Sequence, residues 1–133
     1  MKALVFGASG ALGAEICLQL IAEGFEVIKA SRSKTDGFQI SLSDDNWSEI
    51  AKSVGPFDAV IWAQGINSAG TILTTTSQDI LKSFEANVLS VVETLQSLAV
   101  SNALSTPSRG VVLSSIWQDH ARGNKLEIGR AHV

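Results

Sequence analysis

Short unbroken apolar runs and longer stretches of helical period take turns along this chain of 133 residues. Ala3 to Phe6 is an apolar run without alternation, the pattern of a strand covered on both faces. Leu12, Ile16, Leu20 and Ile21 then recur at helical spacing, and Gly24 falls where a helix commonly stops. Glu26 to Ala30 predicts a second strand, followed by Ser31-Arg32-Ser33, and Phe38 to Leu42 a third. Ser43-Asp44-Asp45-Asn46 supplies capping residues for a helix through Trp47, Ile50, Ala51 and Val54, which Gly55-Pro56 ends. Asp58 to Trp62 predicts the fourth strand, and Ala63-Gln64-Gly65 follows it. The stretch from Ile66 to Thr76, rich in Gly, Ser and Thr, reads as a loop. Ser77 caps a long predicted helix reaching about Ala103, with an apolar stripe that includes Ile80, Phe84, Val88, Val91, Leu95 and Leu98. Thr106-Pro107-Ser108 interrupts the pattern, and Val111 to Leu113 predicts a fifth strand ending on Ser114-Ser115.

Strands alternating with helices in this way predict an α/β fold, a doubly wound parallel sheet with right-handed crossovers. About five strands are expected, in the order 3-2-1-4-5. Ligands of such sheets bind beyond the carboxyl ends of the strands. Gly7 to Gly13, Arg32, Ala63 to Gly65 and Ser115 are all expected at those ends.

The strongest candidate chemistry is Gly7-Ala8-Ser9-Gly10-Ala11-Leu12-Gly13, between the first strand and the first helix. Glycine allows a tight turn and lets a phosphate come close to the backbone, and the helix adds free N–H groups and the positive end of its dipole. The turn therefore predicts a pyrophosphate site; without a ligand, the same glycines would serve only a tight strand–helix turn.

Composition narrows the picture. Lys plus Arg number 10 and Asp plus Glu 13, a net charge of −3, which argues against nucleic acid or an anionic membrane as the main partner. No apolar run approaches the ~20 residues that span a bilayer. Met1-Lys2 leads directly into the first strand, so a cytoplasmic protein without a signal peptide is expected. The single cysteine, Cys17, lies in the first helical pattern and reads as a buried thiol in a reducing compartment. No metal site is expected.

Several motifs in order, across residues 1 to about 126, resemble the N-terminal half of a short-chain dehydrogenase/reductase. Gly7 to Gly13 resembles that family's cofactor turn, with Ala11 in place of the middle glycine of the commonest form. Ala63-Gln64-Gly65 is a loose match to its Asn-Asn-Ala-Gly segment, with Trp62 and Ala63 at the asparagines. Asn87 in Glu85-Ala86-Asn87-Val88 matches the catalytic-helix asparagine, which holds a water in the proton relay. Ser115 in Val112-Leu113-Ser114-Ser115 matches the catalytic serine. The resemblance implies a Rossmann-type sheet and an oxidoreductase acting on a small carbonyl or alcohol substrate, homo-oligomeric in its complete form. It implies cofactor contacts by Gly7, Ser9, Gly10, Leu12, Gly13, Ser31, Arg32, Ala63 and Gly65. Read from the residues alone, Asn87 serves equally well as a structural amide, and Ser115 as an ordinary strand-end serine. A non-catalytic dinucleotide-binding or regulatory module is the alternative function.

Charge indicates which dinucleotide. The NAD form of such sites carries an acidic residue after the second strand for the ribose hydroxyls. Here Arg32 stands there with Ser31, Ser33 and Lys34 beside it, and a guanidinium suits a 2′-phosphate. NADP is therefore expected over NAD. Ser41 stands where the family often has an aspartate at the adenine.

The family's general acid is a tyrosine about thirteen residues after the serine, with a lysine four residues on that lowers its pKa. Ile128 and His132 hold those places, and the chain contains no tyrosine. The tail Glu127-Ile128-Gly129-Arg130-Ala131-His132-Val133 is identical to the translation of a common sequencing-library adapter, stop codon included. Residues 127–133 are accordingly read as non-native, and residues 1–126 as a dinucleotide-binding domain truncated before the tyrosine helix. His120 is read as a solvated loop residue, with Trp117, Gln118 and the 66–76 loop near a substrate pocket. The parent gene is expected to continue with a tyrosine codon and a lysine codon four positions later. Without that half, the fifth strand is a bare sheet edge, so the 133-residue chain is expected to be weakly stable and to aggregate. A sharp cooperative thermal transition of the purified monomer would contradict this.

Overall fold

The structure, a computed structural model, describes residues 1–66, 68–113 and 125–126. Two compact units are present. The first comprises Met1–Gln64 with Thr94–Leu113, and the second comprises Gly65–Glu93 with Lys125–Leu126.

Five parallel strands form the sheet of the first unit: β1 Lys2–Phe6, β2 Glu26–Ser31, β3 Ile40–Ser41, β4 Phe57–Trp62 and β6 Leu104–Val112. Their order is β3-β2-β1-β4-β6, and β5, Ser68–Ala69, is not part of this sheet. This is the expected 3-2-1-4-5 order of a doubly wound, Rossmann-type sheet. β1 is central, pairing Phe6 with Ala30 on one side and with Trp62 on the other. Its residues Ala3, Leu4 and Val5 are fully buried, which is why the run has no polar alternation.

The helix α1, Ala11–Ala22, covers one sheet face, where Ala3, Val5, Ala8, Cys17 and Ile61 form a buried cluster. Burial pushes the Cys17 thiol above its ordinary pKa, so it is an inert packing group. Gly24, with φ of +89°, ends α1 as expected. Its N–H donates to Ile21 O, and the Phe25 N–H donates to Leu20 O. On the other sheet face Phe6 stacks on Trp62 with ring centroids 5.9 Å apart and meets the edge of Trp47, the first residue of α2, Trp47–Val54.

β6 differs from expectation. It begins at Leu104 and passes through Thr106-Pro107-Ser108 instead of starting after them. Leu104 pairs with Phe57 and Arg109 with Ala59, so Ser105 to Ser108 oppose Asp58 alone and form a bulge. Proline has no N–H for the ladder, and the bulge removes the need for one.

In the second unit, α3 Ser77–Phe84 runs into a π-helical segment, Glu85–Leu89, which continues into α4, Ser90–Val100, whose residues from Thr94 on belong to the first unit. Thr76, not Ser77, is the N-cap: its hydroxyl accepts from the Asp79 N–H, and Asp79 accepts from the Thr76 N–H, closing a capping box. The loop expected over 66–76 contains a two-residue strand, β5 Ser68–Ala69, antiparallel to β7 Lys125–Leu126. The apolar stripe expected to be the buried face of the long helix is largely exposed, at Ile80, Leu81, Phe84, Val92 and Leu95. Ser83, Asn87, Thr94 and Leu98 are the buried positions.

At the amino ends of the strands, Asp58 Oδ2 accepts from the Lys2 N–H at 2.7 Å. That bond, and one from the Ser105 hydroxyl, hold the Asp58 pKa below the ordinary value. A depressed folded-state pKa gives stability that is full above the unfolded pKa of about 4 and is lost as pH falls through the folded value. Asp58→Asn should therefore lower the urea midpoint at pH 7, and the gap to wild type should close in acid. An equal gap at pH 7 and at about pH 3 would contradict this assignment.

Candidate functional site

The three glycines of the first turn prove to have different reasons for being glycine. Gly7 has φ of +75°, and a Cβ there would lie 2.6 Å from Gln64 N and 2.9 Å from Ala63 C. Gly13 is buried on the first turn of α1, where a Cβ would lie 2.1 Å from Gly7 O. Both are required by the protein's own backbone. At Gly10 a Cβ would meet only Gly7 O, at an ordinary 3.5 Å, and φ is −76°. Among the described residues, no contact demands glycine at that position.

Gly10 is the N-cap of α1. It offers no capping side chain, and the first turn of α1 carries no acidic residue. The turn is closed by the Gly10 N–H on Gly7 O and the Ala14 N–H on Gly10 O. Ser9, Gly10, Ala11 and Leu12 are exposed around this end. An uncapped helix start, with an open approach over a residue lacking a Cβ, fits a pyrophosphate.

Three further residues expected at the cofactor, Ser31, Arg32 and Ala63, lie in the same unit. Ser31 ends β2 and is buried, its hydroxyl donating to Ser33 O and lying 3.0 Å from Thr35 Oγ1. That hydroxyl staples the turn rather than standing free. Arg32 beside it is exposed, and Lys34 reaches Asp44 at 3.7 Å. Ala63 leaves the end of β4 with its N–H on Phe6 O, so the ends of β1 and β4 are tied together. Ser41, at the end of β3, has its hydroxyl 2.7 Å from that of Ser43.

The second unit holds Gly65, which is exposed, and Asn87, which is buried in the π-helical segment. Asn87 Oδ1 accepts from the Ile66 N–H and Asn87 Nδ2 donates to Ile66 O, both at 3.0 Å. The amide thus pairs with one residue's backbone as a neighbouring strand would, which answers the desolvation cost of burying it. Ser115, Trp117, Gln118, His120 and the tail 127–133 lie outside the described residues.

One buried polar pair escaped the sequence reading. Trp62 Nε1–H donates to Thr94 Oγ1 at 2.8 Å. Thr94 sits four residues before Leu98 on α4, at core spacing, and its polarity hid it among the apolar positions. Among the described residues, no cluster of His, Cys, Asp or Glu could hold a metal ion. No helix there is long and apolar enough to cross a membrane.

No sequence profile of a known family matches the chain, and no curated protein does. Solved structures do. A short-chain dehydrogenase/reductase from Serratia marcescens superposes with a TM-score of 0.76 at 18% identity, over 92% of this chain and 59% of that one. Sorbitol-6-phosphate 2-dehydrogenase from Erwinia amylovora gives 0.74 at 19% identity, over 92% and 57%. A short chain dehydrogenase family protein from Francisella tularensis gives 0.72 at 20% identity, over 94% and 55%. The fold is the one these enzymes share. The chain spans 55–59% of their length.

The glycine geometry makes a paired prediction. Gly13→Ala should cost about 1–3 kcal/mol of unfolding free energy through overpacking. Gly10→Ala, which changes only an N-cap without a side chain, should cost under about 1 kcal/mol. Urea denaturation of both variants tests this, and equal losses would contradict the assignment.

Proposed function

We propose that this chain is the dinucleotide-binding part of an NADP(H)-dependent oxidoreductase of the short-chain dehydrogenase/reductase type, acting on a small carbonyl or alcohol substrate. The observation that carries the reading is the open approach over Gly10 at an uncapped helix start, flanked by two glycines that the backbone itself demands. Gly7, Ser9, Gly10, Leu12 and Gly13 would line the pyrophosphate, with Gly10 giving it room and the free N–H groups of the first turn of α1 binding it. Arg32, exposed beside the stapled Ser31 turn, would bind the 2′-phosphate, and Ala63 and Gly65 would border the cofactor. When bound, the nicotinamide supplies the hydride.

Asn87 is assigned the water-holding role of the catalytic helix. Its two bonds to Ile66 support this by fixing the amide within the π-helical segment. Ser115 is assigned to orient the substrate carbonyl. The chain has no tyrosine to act as general acid, so binding, and not turnover, is the activity proposed for these 133 residues. The second reading is a binding module without catalysis, which continuation of the gene without the tyrosine and lysine codons would favour. A cytoplasmic setting and a homo-oligomeric parent complete the proposal.

Dinucleotide titration of the purified chain by calorimetry is the test. NADPH should bind more tightly than NADH. Arg32→Ala should weaken NADPH about 10- to 100-fold and leave NADH nearly unchanged, as expected for loss of a charge-assisted contact. Equal affinities for both dinucleotides in wild type and variant would remove Arg32 from the site.

A further inference from the structure

We propose that Trp62 is a positioning residue for the dinucleotide site, acting through the backbone of Ala63 and Gln64 and relying on Thr94 to hold its ring. This rests on the dinucleotide-binding reading and adds to it a buried pair of side chains in the first unit.

Trp62 is the last residue of β4, and its ring is held from three directions. It stacks on Phe6, the last residue of β1, with 14° between the ring planes. Its Nε1–H donates to the buried Thr94 hydroxyl at 2.8 Å. It also covers Gly110 of β6, where a Cβ would lie 3.2 Å from the ring. An indole fixed in this way leaves the chain one direction in which to leave the strand.

The direction matters because the next two residues press on the glycine turn. Ala63 C and Gln64 N and Cα lie 2.6–2.9 Å from the place where a Gly7 Cβ would be. Gly7 O in turn borders Gly13, at the start of α1. A small rotation of the Trp62 ring would shift Ala63 and Gln64, and tightly packed backbone passes such shifts on without absorbing them. The N–H groups aimed at the pyrophosphate would then lose alignment, and hydrogen bonds weaken steeply with misalignment.

The variants that test this are Thr94→Val, Thr94→Ser and Trp62→Phe, with NADPH and NADH affinities measured calorimetrically well below each protein's unfolding transition. Thr94→Val keeps the shape and removes the acceptor, so NADPH should bind about tenfold more weakly. Thr94→Ser restores the hydroxyl and should restore affinity. Trp62→Phe should resemble Thr94→Val, and if it fails to fold, the two threonine variants decide. Amide hydrogen exchange at Ala63, whose N–H bonds Phe6 O, should quicken in Thr94→Val and recover in Thr94→Ser. Wild-type affinity in a folded Thr94→Val overturns the positioning role while leaving the dinucleotide reading intact. Absence of binding by wild type overturns both.

Discussion

A carbonyl with no room beside it organises the carboxyl ends of β1 and β4 and the start of α1. Gly7 O faces the first turn of α1 so closely that residue 13 can have no side chain. On its other flank, Gly7 faces the backbone leaving β4 so closely that it too must be glycine. The ends of β1, β4 and α1 are thereby drawn to within van der Waals contact, with no side chains between them. Backbone N–H groups can converge on a ligand only when the segments that carry them are this close. The rest of the first unit supports that approach: a central strand buried on both faces, a helix packed through Cys17, and an aromatic layer of Phe6, Trp62 and Trp47.

The elements whose burial is symmetrical were the most legible in sequence. β1 reads as an unbroken apolar run because both its faces are covered, and α1 ends where Gly24 takes a left-handed conformation. The sheet order follows from the alternation of elements and the handedness of crossovers. The long helix was misread because period alone does not say which stripe faces inward. Its buried line is Ser83, Asn87, Thr94 and Leu98, mostly small or polar, while larger apolar residues remain exposed. The start of β6 was misread because Pro107 is a breaker by composition. A bulge of four residues against one lets the strand continue around it.

The site was partly legible for the same reason. Glycine spacing marked the turn but could not separate glycines that the backbone needs from one that it does not; only the distances at Gly7, Gly10 and Gly13 do so. Ser31 reads as a ligand contact, and its second part, stapling the turn through Ser33 and Thr35, was not legible, since a hydroxyl's partners are invisible until the turn is folded. Asn87 was noticed as an amide near an apolar stripe, yet its partner is 21 residues away in sequence, at Ile66. Thr94 carried no signal, because a threonine that accepts from an indole looks like any threonine on a helix.

The bulge at Ser105 to Ser108 lies at the amino ends of the strands, away from the carboxyl ends where the glycine turn sits. Extra residues there are absorbed locally, and the ladder is restored from Arg109 to Val112, up to the pairing with Trp62. The sheet thus has one end where chain length can drift over generations and one end where a single methyl group is too much. Insertions accumulating among descendants of this sequence would be expected to gather at the former, and the spacing of the glycine turn to persist at the latter.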